Sequence, residues 1–182
     1  MKKYPKRVDL EDGSTATVRL MVKGDQERLL DFFRAIPEAD RLFLRDDVTQ
    51  EETIEAWSRD LDYAQVLPVV VESDGRIVAD ATLHFRPYGW MKHVAEIRIV
   101  VDPDYRRRGL ADVVMAELID IAQTLGMEIL VSELIPEQGP AIRLVEKHGF
   151  QREAVLSQYV RDQEHRRRDL YVFVRRLDVP SP

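Results

Sequence analysis

Cysteine is absent from the 182-residue chain, which removes disulfides, thiolate metal sites and a cysteine nucleophile together. Long apolar runs are missing too: no stretch approaches the ~20 residues that a membrane-spanning helix needs. Met1-Lys2-Lys3-Tyr4-Pro5-Lys6-Arg7 leads into polar sequence rather than an apolar signal core, so no membrane partner and a cytoplasmic location are expected. Neither a Gly-Lys-Ser/Thr ending nor a run of three spaced glycines occurs, which disfavours a P-loop and a dinucleotide fold. A Gly-x-Ser-x-Gly elbow is also missing, so no covalent serine mechanism is expected. His84, His93, His148 and His165 are scattered without metal-ligand spacing. They read as satisfied or exposed imidazoles, and no metal is expected. There is no internal repeat, low-complexity stretch or Gly/Ser linker.

What is present is the composition of a folded globular chain, with 45% apolar and 33% charged residues. Its length suits one domain with a substantial core; 1–178 is expected to be that domain and 179–182 a short disordered tail. Against 27 basic side chains stand 33 acidic ones, a net charge of −6 that argues against a nucleic-acid partner. Basic residues nevertheless cluster in Arg106-Arg107-Arg108, Arg166-Arg167-Arg168 and Arg175-Arg176. The second cluster is expected in a terminal hairpin loop.

Hydrophobic spacing predicts the elements. Asp12-Gly13 between Val8–Leu10 and Thr15–Leu20 reads as a hairpin turn. Asp25 is placed to cap a helix running to about Ala35, and Thr49-Gln50-Glu51-Glu52 has the form of a capping box opening a helix to about Tyr63. Val66 to Val71 and Arg76 to Phe85 flank Ser73-Asp74-Gly75 as an antiparallel hairpin. A strand follows over His93 to Val101. From Gly109 to Leu125 the apolar residues recur at three and four, an amphipathic helix ended by Gly126. Glu128 to Leu134 is a strand, Pro140 to Lys147 a short helix, and Ala154 to Tyr159 and Asp169 to Arg175 two further strands. The order implies an α/β fold, a mixed sheet flanked by helices, with antiparallel pairing in its first half and parallel pairing in its second.

The segment Val101-Asp102-Pro103-Asp104-Tyr105-Arg106-Arg107-Arg108-Gly109-Leu110-Ala111 joins a strand to the long helix. A helix start offers free backbone N–H groups and partial positive charge, so a glycine-containing turn there suits a pyrophosphate. Arg106 to Ala111 resembles the Arg/Gln-x-x-Gly-x-Gly/Ala signature of the GNAT acetyltransferases. About 30 residues on, Gln138-Gly139-Pro140-Ala141-Ile142-Arg143-Leu144-Val145-Glu146-Lys147-His148-Gly149-Phe150 resembles the family's Asn-x-x-Ala and Glu-Lys-x-Gly-Phe segment. The resemblance extends over roughly Leu20 to Leu177, and it implies the GNAT fold: a mostly antiparallel sheet in which two central parallel strands splay apart. It further implies acetyl-CoA as cosubstrate. Main-chain groups of Ile99, Val100 and Val101 would hold the pantetheine arm and thioester carbonyl. Arg106, Arg107, Arg108, Gly109, Leu110 and Ala111 would wrap the pyrophosphate, and Gln138 and Ala141 would complete the cofactor site.

An acceptor amine with a pKa of about 10.4 is protonated at neutral pH, so transfer needs a base. Glu96 is the leading candidate, since the stretch from Ala95 to Val101 resembles that of GNAT members, notably bacterial protein-lysine acetyltransferases, which place a general-base glutamate there. Its bland alternative is an ion pair with Arg98 on a wet sheet face. Glu133, at the end of the neighbouring strand, is the second candidate. Val145 stands where many members carry the tyrosine thought to protonate the departing thiolate, and Gln138 where they carry asparagine. Tyr159 is a substitute acid, with Tyr88 and Trp90 also able to line the acceptor side. Three readings stay open: an N-acyltransferase acting on a protein lysine, an N-terminus or a small amine; a catalytically weak acyl-CoA-binding regulator or sensor; and, last, a nucleic-acid module. The chain is expected to work as a monomer or a homodimer.

Overall fold

The computed structural model describes residues 4–41, 43–162 and 164–178; the expected tail, 179–182, lies outside them. The alternating segments become strands. β1 (Lys6–Asp9) and β2 (Thr15–Leu20) form the first hairpin. β3 (Val66–Ser73) and β4 (Arg76–Phe85) form the second, turned by Asp74 and Gly75, both left-handed. β5 (Val94–Val101), β6 (Ile129–Leu134), β7 (Gln151–Arg161) and β8 (Arg167–Arg176) complete an eight-stranded sheet of order β1-β2-β3-β4-β5-β6-β8-β7. Pairing is antiparallel everywhere except between β5 and β6. The parallel pairing expected across the second half is thus confined to one pair, because β8 folds back between β6 and β7.

Helices cover both faces, and the two-residue alternation along the strands gives each its own core. On one face α4 (Leu110–Thr124) and α5 (Gly139–Lys147) pack on Ala79, Ala81, Leu83, Ala95, Ile97 and Leu130. On the other, α1 (Gln26–Ala35) and α3 (Glu51–Arg59) bury Leu29, Phe33 and Ile54 with Val70 and Ile77, and Val100 packs against them. A single short turn of helix, α2 (Glu38–Arg41), lies between α1 and α3.

Two expected caps are not made. Asp25 does sit at the N-cap of α1, but its side chain does not cap that helix. Instead it is fully buried, takes a two-pronged contact from Arg19 at 2.7 Å on each oxygen, accepts the Val22 N–H at 2.8 Å and meets Arg28. Glu72 shares both guanidinium groups. The fork from Arg19 is stronger than a cap, since it neutralises the charge as well as the lone pairs. Thr49 likewise turns its hydroxyl to Asp47 at 2.7 Å, leaving Gln50 at the N-cap of α3. That helix ends at Arg59 rather than near Tyr63, whose hydroxyl reaches back to the Met21 carbonyl at 2.5 Å.

Burial pushes the Asp25 carboxyl up most, but Arg19, the Val22 N–H and Arg28 together outweigh it and hold the group below the usual carboxylate range. Its contribution to stability is therefore present above about pH 4 and lost on acidification. Asp25→Ala leaves Arg19 and Arg28 facing only Glu72, and should cost about 3–5 kcal/mol in urea denaturation at neutral pH; a loss under about 1 kcal/mol would show that the cluster does not brace the fold.

Candidate active site

The parallel ladder between β5 and β6 pairs only Val94, Ala95 and Glu96 with Ile129, Leu130 and Val131. Beyond them β5 stays paired with β4 out to Val101, and β6 with β8 out to Leu134. Each strand is pulled towards its antiparallel neighbour, so a gap opens between 97–101 and 132–134. Strand backbone along such a gap has alternate N–H and C=O groups with no strand partner. A cavity of about 900 Å³ runs through it, walled by Ile99, Val101 and Ser132 from the strands and by Ala141 and Leu144 from α5.

The cavity reaches Arg106 and Ala111, in the turn that starts α4. Asp102 shapes this turn by accepting the Asp104 N–H at 2.9 Å. Arg107 and Gly109 both take left-handed conformations, with φ of 58° and 76°. The positive φ favours glycine at 109, and a β-carbon there would also lie 2.8 Å from the Glu11 side chain, which would have to swing aside. No side chain caps α4, so the first-turn N–H groups point free at the cavity end, a cradle for an anion. The three arginines are not equivalent. Arg106 pairs with Asp40 at 2.7 Å and reaches the Val101 carbonyl at 3.3 Å. Arg108 pairs with Asp12 at 3.0 Å and stacks 4.8 Å from the Tyr105 ring centre. Leu110 is buried in the core behind them.

On the α1/α3 side, the gap meets a line of polar residues. Glu96, Arg98 and Val100 on β5 stand directly opposite His84, Thr82 and Asp80 on β4. The Glu96 carboxylate accepts from Arg98 at 3.0 Å and pairs with Arg45 at 2.6 Å, and the same guanidinium holds Glu133 at 2.7 Å. The two candidate carboxylates are thus brought together by one arginine from the loop between α2 and α3, a residue the sequence reading did not single out. Burial first, and the Arg98 charge second, push His84 down to about 4, so its imidazole is neutral at physiological pH; its Nε2 lies 2.9 Å from the Thr82 hydroxyl. Burial pushes the Asp80 carboxyl up to about 7. An acid in the middle of the apolar run Ile77 to Leu83 was the sequence signal for it.

Other expected participants lie elsewhere. Tyr159 is 68% exposed on β7, the outermost strand, where a break in register between Leu156 and Val160 disturbs the alternation. Two strands separate it from the gap, so the acid role expected of it has no geometric support. Tyr88 and Trp90 are exposed in the β4–β5 loop. Val145 is buried in the core behind α5 while lining the cavity. Among the described residues no tyrosine lines that cavity. The Gln138 side chain lines it too, accepting the Ile135 N–H at 2.9 Å. Arg166 and Arg168 are not merely solvated: both fold onto the buried Asp162. Among the described residues no cluster of three or more His, Asp or Glu could hold a metal ion, and no helix is long and apolar enough to cross a membrane.

The acetyltransferase (GNAT) family model matches residues 28–150. The Bacillus subtilis (strain 168) protein named "Putative phosphinothricin acetyltransferase YwnH" is 28% identical over 166 residues, covering 88% of this chain and 99% of the relative. Two solved structures share the fold. A ribosomal-protein-S5-alanine acetyltransferase from Vibrio fischeri superposes with a TM-score of 0.82 at 14% identity, over 97% of this chain and 100% of its own. The protein yncA from Salmonella typhimurium, solved with its cofactor acetyl-CoA, superposes at 0.77 and 21% identity, over 93% and 98%.

Asp80 leaves a measurable signature. Unfolded, its carboxyl titrates near 3.8; folded, near 7. Below about pH 4 it is protonated in both states, and as pH rises towards 7 the unfolded chain gives up a proton that the folded chain keeps, so stability falls. His84 works in the opposite sense, losing stability as pH drops through 6.5 towards 4. Comparison with Asp80→Asn cancels the histidine. The variant should gain on the wild type by up to about 4 kcal/mol between about pH 4 and pH 8, read from urea midpoints; a difference that does not change with pH would contradict the assignment.

Proposed function

The chain belongs to the GNAT acetyltransferase family, and from that premise we propose that it transfers an acetyl group from acetyl-CoA directly to a primary amine. The observation that carries the reading is the gap between β5 and β6, open to the cavity and ending at the uncapped start of α4. An extended pantetheine arm needs unpaired strand backbone beside it, which Ile99 and Val101 have available, with Val100 between them bonded to β4. A pyrophosphate needs converging N–H donors, which the stretch from Arg107 to Ala111 supplies. Arg106 and Arg108 are already engaged by Asp40 and Asp12, so backbone donors rather than a cage of guanidinium groups would do most of the holding. Gln138 and Ala141 form the facing wall from α5.

Glu96 is proposed as the base. It takes the proton from the acceptor ammonium, the freed nitrogen attacks the thioester carbonyl, an N–C bond replaces the C–S bond, and the second proton shed by the new amide nitrogen passes through water to the departing thiolate, while Glu96 returns its own proton to solvent. With a thiol pKa near 8.5 the leaving group can depart without a side-chain acid, consistent with Val145 and with the lack, among the described residues, of a tyrosine lining the cavity. Glu133 shares the Arg45 contact and serves as alternate carboxylate. Acceptors within reach of this chemistry are a protein lysine, an N-terminus or a small amine. In this reading residues 1–178 form one acyltransferase domain at work in the cytoplasm.

Buried Val145 also supports a second reading, a weakly catalytic acyl-CoA-binding regulator. Thiol release separates the two, since a regulator binds CoA esters without releasing thiol above background in an amine and peptide screen. In the transfer reading, Glu96→Gln lowers kcat/KM at neutral pH by about 10²–10⁴, with the deficit shrinking as pH approaches the pKa of the acceptor ammonium, about 10.4 for a lysine-like amine. An unchanged rate across the pH range would remove Glu96 from the base role.

A further inference from the structure

The sheet face that carries Glu96 holds a second carboxyl for which acetyl transfer has no use. Asp80 is 8% exposed and lines the cavity. Among the described residues its carboxyl makes no hydrogen bond and no ion pair. That is unusual, since a buried carboxyl is costly unless something neutralises it. Its neighbours across the sheet are Val70 and Val100, and the cavity on its side is walled by Met21, Phe33, Ile36 and Trp57. The arrangement is an unpartnered acid beside apolar walls, in the same cavity that Arg45 and Arg98, the ion-pair partners of Glu96, also line.

Such an arrangement selects by charge. A ligand with an apolar body and a cationic end would bury the body against Phe33 and Trp57 and give the carboxyl the partner it lacks. A carboxylate or phosphinate placed there would meet a like charge instead. The cations on this face, Arg45 and Arg98, are already held by Glu96 and Glu133 at the other end of the row. Asp80 and the residue facing Glu96, His84, are four positions apart on β4, a separation of ~13 Å at ~3.3 Å per residue.

We propose that Asp80 is the docking site for a second, non-reacting cationic group of the acceptor, and that the preferred acceptor is therefore a diamine or another amine with two positive ends. The first amine stands at Glu96 and is acetylated; the second is anchored at Asp80 with the aliphatic linker between them along the apolar wall. The proposal rests on the acetyl-transfer reading for the reacting end only.

The test compares a homologous series of α,ω-diaminoalkanes with alkylamines of equal length, in wild-type protein and in Asp80→Asn. Turnover is followed by thiol release, and binding by calorimetry on protein saturated with desulfo-CoA, which cannot react. The expected result is a wild-type preference for the best diamine over its matched monoamine of roughly 30-fold or more in kcat/KM, falling to near unity in Asp80→Asn. A wild-type protein without that preference, or a preference that survives in Asp80→Asn, would overturn the proposal. If neither these amines nor a lysine-containing peptide is acetylated, the transfer reading fails by itself. Calorimetry then decides on Asp80: diamine binding that the variant loses sustains the cationic site, and binding absent or equal in both proteins refutes it.

Discussion

A hydrogen-bond ladder that stops after three residue pairs is the constraint from which the rest of the molecule follows. β5 is held by β4 along its length and β6 by β8 along its length, so the two can stay together only over Val94–Glu96 and Ile129–Val131. Opening a sheet at its centre exposes polar backbone inside a domain, which is costly unless a ligand or water satisfies it. The fold confines that cost to one edge, and packs α4 and α5 against the strands on the same side so that the opening is walled rather than flooded. Membership of the GNAT family explains why such a defect persists.

The electrostatics of the two ends of the cavity are complementary. At the start of α4 the donors are backbone groups, positioned by left-handed Arg107 and Gly109, and the nearby guanidinium groups are tied to Asp12 and Asp40. At the strand face the balance is acidic: Glu96 and Glu133 share one arginine, and Asp80 has none. Anion recognition at one end and cation recognition at the other is what joining an acyl-CoA to an amine requires. Arg45 reaches both carboxylates from the loop between α2 and α3 rather than from the sheet.

Much of this was legible in the sequence. Alternation located seven of the eight strands closely, and the turn from Arg106 to Ala111 was placed at a helix start by its glycine and its flanking periodicity. What failed did so because a local rule cannot tell which competing partner, near or far, claims a side chain. Asp25 and Thr49 have the right types for caps, yet Arg19 and Asp47 claim them first. Tyr159 lies on a strand as expected, but only the order of strands in the sheet shows that β8 stands between it and the gap. Arg45 carries no local signal at all, because its partners lie on β5 and β6. Asp80 did carry one, a carboxylic acid within the largely apolar stretch Ile77 to Leu83, and its meaning emerges only when Val70 and Val100 are seen on either side of it.

The central claim is that the unpaired backbone of the gap and of the helix start holds the acyl-CoA. Amide hydrogen exchange with and without saturating CoA tests it residue by residue. The account predicts that exchange slows at amides within 97–101 and 109–112, with little change along β1 and β2. Saturable CoA binding that leaves both segments exchanging at their free rates would contradict it.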